Sequence, residues 1–181
     1  MDNATAQGTY VDHYASALWS IAGAEADPSA AADEIFRAAQ GLSGHGELIE
    51  TLGDPRIPGE RKQGIVDDIL SGHASKVTVA AMSLIVGVGQ AKNLGAIASR
   101  VAELAADAEG EVVAEVRAPI ELDAGQIERL TAALTTATGK RVQVKTVVDP
   151  SVIGGLVAKV GDTVLDGSVQ HRFSELREQW G

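Results

Sequence analysis

The chain has four histidines, His13, His45, His73 and His171, the side chains whose ordinary titration range suits proton transfer or metal binding near neutral pH. None stands in a His-x-x-x-His or comparable ligand spacing, so solvated or capping roles are expected. Asp67-Asp68 is a candidate carboxylate pair, but adjacent residues on a helix point about 100° apart and cannot share an ion. Gly87-Val88-Gly89 has the start of a dinucleotide loop, yet it ends a helical run instead of following a strand. Gly154-Gly155 falls inside an extended run, not at a helix N-terminus where amides converge on phosphate. There is no Walker-type lysine loop and no Gly-x-Ser-x-Gly elbow. The absence of cysteine removes thiolate nucleophiles, cysteine-ligated metals and disulfides. These residues predict no catalytic, cofactor-binding or metal-binding site, and hence a non-enzymatic role.

Charge narrows the partners. The formal net charge is −10. Residues 1–110 carry 15 acidic and 7 basic side chains, a net of −8, whereas residues 111–181 carry 10 and 8, a net of −2. Nucleic-acid phosphate and anionic headgroups both require a basic footprint, so no nucleic-acid binding and no direct membrane binding are expected. The start, MDNATAQGTY, has neither a basic flank nor an apolar stretch, so it does not read as a signal peptide. No apolar run reaches the roughly 18–20 residues of a membrane span.

The elements change character near Gly110. Residues 1–110 contain 22 Ala and 7 Val, and residues 111–181 contain 7 Ala and 12 Val. Ala is the best helix former and Val packs well on a pleated sheet, so helices are predicted first and strands second. Aromatics make up only 3% of the chain, so its cores must be built from Ala, Val, Leu and Ile.

Apolar residues recur at helical spacing through the first part. Tyr10, Tyr14, Leu18 and Ile21 form a stripe in helix one. Asp27-Pro28 supplies an N-cap and a first-turn proline for helix two, which carries Ala31, Ile35, Ala38, Ala39 and Leu42. A short third helix with Leu48, Ile49 and Leu52 stops before Pro55. Pro58 opens the fourth, with Ile65, Val66, Ile69 and Leu70 facing inward. The fifth, Lys76 to Val88, is apolar on almost every side, as a helix surrounded by others would be. The sixth shows Leu94, Ile97, Val101 and Leu104.

In the second part Val112, Ala114, Val116, Ala118 and Ile120 alternate with mainly charged residues, the mark of a half-buried strand. Asp123 with Gln126 forms a capping box for a helix carrying Ile127, Leu130, Leu134 and Ala137 and ending at Gly139. Arg141 to Val148 alternates again. Asp149-Pro150 breaks that run, and Gly154-Gly155 marks a close backbone approach. Gly161-Asp162 reads as a two-residue hairpin turn, and Asp166-Gly167-Ser168 starts a last helix carrying Val169, Phe173, Leu176 and Trp180. The fold class is therefore α+β and mainly α. An N-terminal six-helix bundle, residues 1–106, precedes a small C-terminal α+β domain, residues 107–181, with the segment Ala105 to Gly110 as helix end and hinge.

The bent strand, hairpin and closing helix from Asp149 to Arg177 resemble the C-terminal signature of the delta-subunit family of F-type ATP synthases. That family is the bacterial counterpart of the mitochondrial oligomycin-sensitivity-conferring protein. The signature residues are Asp149, Gly154, Gly155, Gly161, Asp162, Asp166 and Gly167. Tyr14-Ala15-Ser16-Ala17-Leu18-Trp19, Leu52-Gly53-Asp54-Pro55 with Lys62, and Lys92-Asn93-Leu94 extend the resemblance over most of the chain. Ala158 and Gln170 depart from it, standing where a branched aliphatic residue and an arginine are more usual.

The resemblance implies a non-catalytic stator subunit in the peripheral stalk of a rotary, proton-translocating ATP synthase, which it supports in ATP synthesis. It places the chain as a monomer in a hetero-oligomeric complex at the cytoplasmic face of a bacterial plasma membrane. Its helical domain would bind the catalytic head through the alpha subunit's N-terminal helix, in a groove between helices one and five. Tyr10, Tyr14, Leu18, Met82 and Ile85 are the expected contact residues. Its C-terminal domain would bind the b-subunit stalk. The alternative from the residues alone is a small-molecule-binding or catalytic α+β protein with an accessory helical domain.

Overall fold

Local capping chemistry sets where several helices begin. In a computed structural model, which describes residues 3–152, 155–161 and 163–166, the first helix, α1, spans Asn3–Ala22. Asp27 caps α2 (Pro28–Ser43) by accepting the Ala30 amide at 2.9 Å, with Pro28 at the first helical position. The short α3 (Gly46–Gly53) ends before Pro55, and α4 (Gly59–Leu70) starts after Pro58. Ser75 caps α5 (Lys76–Gly87), and a 3-10 turn, Ala91–Asn93, leads into α6 (Leu94–Ala108). Contacts divide the chain into two compact units, Met1–Ala105 and Ala106–Gly181.

Within the first unit α5 packs against α4, α2 and α1. Its Thr78, Ala81, Met82, Ser83, Ile85 and Val86 are buried, facing a core that includes Ile35, Phe36 and Ala39 of α2 and Val66 and Leu70 of α4. Each large apolar side chain removed from water contributes about 1.5–3 kcal/mol. Three inward faces differ from the periodic pattern. In α1 the buried positions are Ala15, Leu18 and Ala22, while Tyr10 and Ile21 are exposed. In α4 the inner line is Lys62, Val66 and Leu70, and Ile69 is exposed. Helix α5 is not enclosed on all sides, since Ala80, Leu84 and Val88 form an exposed row at spacing four. The reason is common to all three. Where apolar residues occupy more than one side, periodicity gives the helix but not its rotation.

Two contacts fix how the helices meet. Glu34 of α2 reaches the N-terminus of α5, accepting the Ser75 amide at 3.0 Å, the Ser75 hydroxyl, and the Thr78 hydroxyl at 2.6 Å. Those hydrogen bonds, the Ser75 hydroxyl's first, hold the Glu34 carboxyl below its ordinary value. The start of α4 also lies against the end of α5. A Cβ added at Gly59 would sit 2.8 Å from the Gly87 carbonyl oxygen, a backbone atom that cannot swing aside.

In the second unit β1 (Val112–Ala118), α7 (Ala124–Thr138) and β2 (Val142–Val148) form a parallel crossover. Strand β3 (Val157–Val160) pairs antiparallel with β1 and then with β4 (Thr163–Asp166), giving the sheet order β2-β1-β3-β4. The capping box of Asp123 and Gln126 is present, with both reciprocal bonds formed at 2.8 and 2.9 Å. Gly139 ends α7 in the left-handed region at φ 67°. Leu134 of α7 joins Ala114, Val116, Val142 and Ala158 of the sheet in one core. On the opposite face Glu115 stands in register between Lys145 and Lys159 and accepts two bonds from Arg117. Alternation in β1 thus puts Ala114, Val116 and Ala118 on the core side and Glu115 and Arg117 on the other.

Two substitutions follow. Glu34→Ala is expected to destabilise the helical unit by about 2 kcal/mol, since charged hydrogen bonds at a helix start are lost. Because the folded carboxyl titrates below its ordinary value, its contribution is complete above the unfolded carboxyl's value and disappears as pH falls through the depressed folded value. Denaturant titrations at pH 7 and pH 3 check this: the gap between wild type and variant should be wider at the first than at the second. Gly59→Ala is expected to cost about 1–3 kcal/mol through the clash with Gly87. By contrast Gly64→Ala, in the same helix with open space around its added carbon, should stabilise by about 0.5–1 kcal/mol. Melting curves of the pair should shift in opposite directions.

Candidate surface for partner binding

Helix α1 presents Tyr10, Tyr14, Ala17 and Ile21 along one side, at successive spacings of four, three and four. Tyr10 is 57% exposed, Ile21 is 39% exposed and Tyr14 is half-buried. Helix α5, which touches α1, presents Ala80, Leu84 and Val88, the last two 40% and 47% exposed. The two helices therefore carry apolar rows that this unit leaves uncovered. Such rows suit the apolar face of an incoming amphipathic helix.

Leu18, Met82 and Ile85, expected at this surface from the sequence, are core residues instead, at 1%, 0% and 0% exposure. They stand on the inward sides of α1 and α5, where they hold the two helices against their neighbours. The surface members of α5 are Leu84 and Val88, which the sequence reading missed. Their signal was present in the spacing of Ala80, Leu84 and Val88, which sets them apart from Met82 and Ile85.

Several polar groups of this unit are paired. Arg100 of α6 donates to Glu103 at 2.8 Å and to Asp12 of α1 at 2.9 Å, and the Glu103 bond leads in raising the Arg100 pKa. At the α3–α4 junction Arg56 holds the Asp54 carboxyl down to about 2, with Lys62 adding a smaller attraction. Lys62 itself is buried. Asp67 accepts the Ser83 hydroxyl at 2.6 Å and so joins α4 to α5, while its neighbour Asp68 faces solvent. His13, His45 and His73 are exposed and separate, and His171 lies outside the described residues. Among the described residues no three His, Asp or Glu side chains gather as a metal site. No helix among them is long and apolar enough to cross a membrane.

The C-terminal signature is a set of backbone devices. Asp149 accepts the Ser151 amide at 3.0 Å and the Ser151 hydroxyl at 2.6 Å, and its own amide donates to Ala118 at 2.8 Å. This turns the chain out of β2. Gly155 has φ 134° and lies in a bend before β3, not within a strand; its requirement is conformational, since an L side chain rarely adopts that angle. Gly161, at φ 56°, turns β3 into β4. Asp166 is the last residue of β4. Gly154, Asp162 and Gly167, with the expected last helix, lie outside the described residues.

A family model described as ATP synthase delta (OSCP) subunit matches residues 11–180. The ATP synthase subunit delta of Nocardia farcinica is 37% identical over 147 residues, covering 81% of this chain but 54% of its own length. The chain thus spans about half of that relative. The subunit of the same name from Chlorobium luteolum is 34% identical over 164 residues, covering 91% of both chains. The fold is similar to that of a chain in a cryo-EM structure of the Toxoplasma gondii mitochondrial ATP synthase hexamer, with a TM-score of 0.53 and 21% identity over 94% of this chain and 96% of that one. By the family match across nearly its whole length, the chain belongs to the ATP synthase delta (OSCP) subunit family.

Proposed function

We propose that this chain is a stator subunit in the peripheral stalk of an F-type ATP synthase, acting without catalysis of its own. Residues 1–106, read as a six-helix bundle, bind the catalytic head. Residues 107–181 bind the b-subunit stalk at the face of the membrane, without inserting into it. The observation that carries the head-binding part is the pair of uncovered apolar rows on α1 and α5. The head partner is the N-terminal helix of an alpha subunit, laid along Tyr10, Tyr14, Leu84 and Val88. In a rotary machine the head turns with its rotor unless something holds it. The tie must therefore dissociate slowly, which calls for affinity on the order of nanomolar, or about −12 kcal/mol.

Peptide titration tests the head contact. A synthetic peptide of the alpha-subunit N-terminus should bind the full chain, and Tyr14→Glu and Leu84→Glu should each weaken it at least about tenfold, or 1.4 kcal/mol, because a charge enters an apolar contact. Melting temperature should change little, since both side chains reach solvent. Leu18→Glu, in the core, should instead unfold the helical unit. Unchanged affinity in the two folded variants would remove α1 and α5 from the contact.

A further inference from the structure

Helix α6 spans Leu94–Ala108, and the second unit begins within it, at Ala106. The helix ends in a Schellman motif. The Glu111 amide donates to the Ala106 carbonyl at 2.8 Å and the Gly110 amide to the Asp107 carbonyl at 3.1 Å, with Gly110 in the left-handed region at φ 70°. The Glu109 carbonyl lies beyond those two bonds and accepts the Arg141 guanidinium at 2.8 Å. A second guanidinium nitrogen of Arg141 stands 3.6 Å from the Glu111 carboxylate. Its backbone carbonyl accepts the Val112 amide at 2.9 Å. One residue, immediately before β2, therefore holds the exit of α6 at Glu109, Glu111 and Val112.

The chemistry of each contact favours order in this segment. A cation beside the last carbonyls of a helix is stabilised by the helix dipole, and its bond to a carbonyl is stronger than a neutral one. The planar guanidinium can face the Glu109 carbonyl and the Glu111 carboxylate through different nitrogens, which an ammonium point charge does less well. The carboxylate contact is long and Arg141 is largely exposed, so that pair adds little strength. The carbonyl bond is the principal hold. We infer that Arg141 is a clasp, a positioning residue that fixes residues 109–111 to the start of β2, so that this segment is a stiff splice between α6 and β1. The small residues and glycine of Ala105 to Gly110 suggest a hinge when read as composition, and the clasp is what withdraws 109–111 from it. The inference concerns the chain itself and stands apart from the stator reading.

Amide hydrogen exchange of the full chain tests it, together with limited digestion by a glutamate-specific protease that cuts after Glu109 and Glu111. Arg141→Met keeps the side-chain stem and loses every donor, and Arg141→Ala removes both. In each, exchange at Gly110 and Glu111 and cleavage after Glu109 and Glu111 should speed up at least about fivefold through local opening. Amides in the middle of β1 and β2 should keep their wild-type rates. Wild-type rates at Gly110 and Glu111 in either folded variant would overturn the clasp. Exchange rising evenly along β1 and β2 would overturn it too, because Arg141 would then serve strand pairing at large. So would unprotected Gly110 and Glu111 amides in the wild-type chain, since the segment would be a hinge despite the contacts.

Discussion

The helical unit depends on the burial of α5. With so few aromatic side chains, its core is assembled from small and branched residues, each contributing modestly. Enough surface is removed from water only if several helices converge on one. Helix α5 is that helix, placing Ala81, Met82, Ile85 and Val86 inside while α4, α2 and α1 close around it. The approach of α4 is so near that Gly59 meets the Gly87 carbonyl without room for a side chain. What the arrangement leaves out is as consequential as what it buries. Because the neighbours of α5 do not enclose it, Leu84 and Val88 stay in contact with water.

Much of this was legible in the sequence wherever the chemistry is local. Asp27-Pro28, the Asp123 and Gln126 box, and Gly139 act within a turn of themselves, and each is found where its residue types require. The rotation of α1 and α4 was not legible. Tyr10 and Ile21 belong to the same periodic stripe as Leu18, and only the position of the neighbouring helices decides which side is covered. Lys62 illustrates the same limit from the polar side. Its inward position, on one line with Val66 and Leu70, does not follow from helical spacing, which would place a lysine outside. Of the expected partner-contact residues, Leu18, Met82 and Ile85 belong to the core, whereas Tyr10 and Tyr14 reach solvent.

The second unit relies more on backbone than on side-chain fit. Asp149 redirects the chain through hydrogen bonds to Ser151, Gly155 takes an angle that a side chain would oppose, and Gly161 reverses β3 into β4. Ala158 packs against the core beneath this hairpin with a single methyl group. Gly155 was legible as a glycine with a purpose, though the purpose proved to be its dihedral angle. The end of β1 was not foreseen, because Ile120 continues its alternation in sequence while the strand itself ends at Ala118.

The bond from Glu34 to Ser75 joins residues 41 positions apart, which gives it a kinetic meaning as well as an energetic one. Closing a flexible loop of that length costs about 3 kcal/mol of chain entropy. Helices α3 and α4 lie within the loop, and their formation shortens the distance to be searched before the carboxylate can reach the start of α5. Loop-closure entropy thus favours making the contact after those helices have condensed. Interactions made after the rate-limiting step act chiefly on the rate of unfolding. A late contact slows the escape from the folded state while leaving the approach to it almost unchanged.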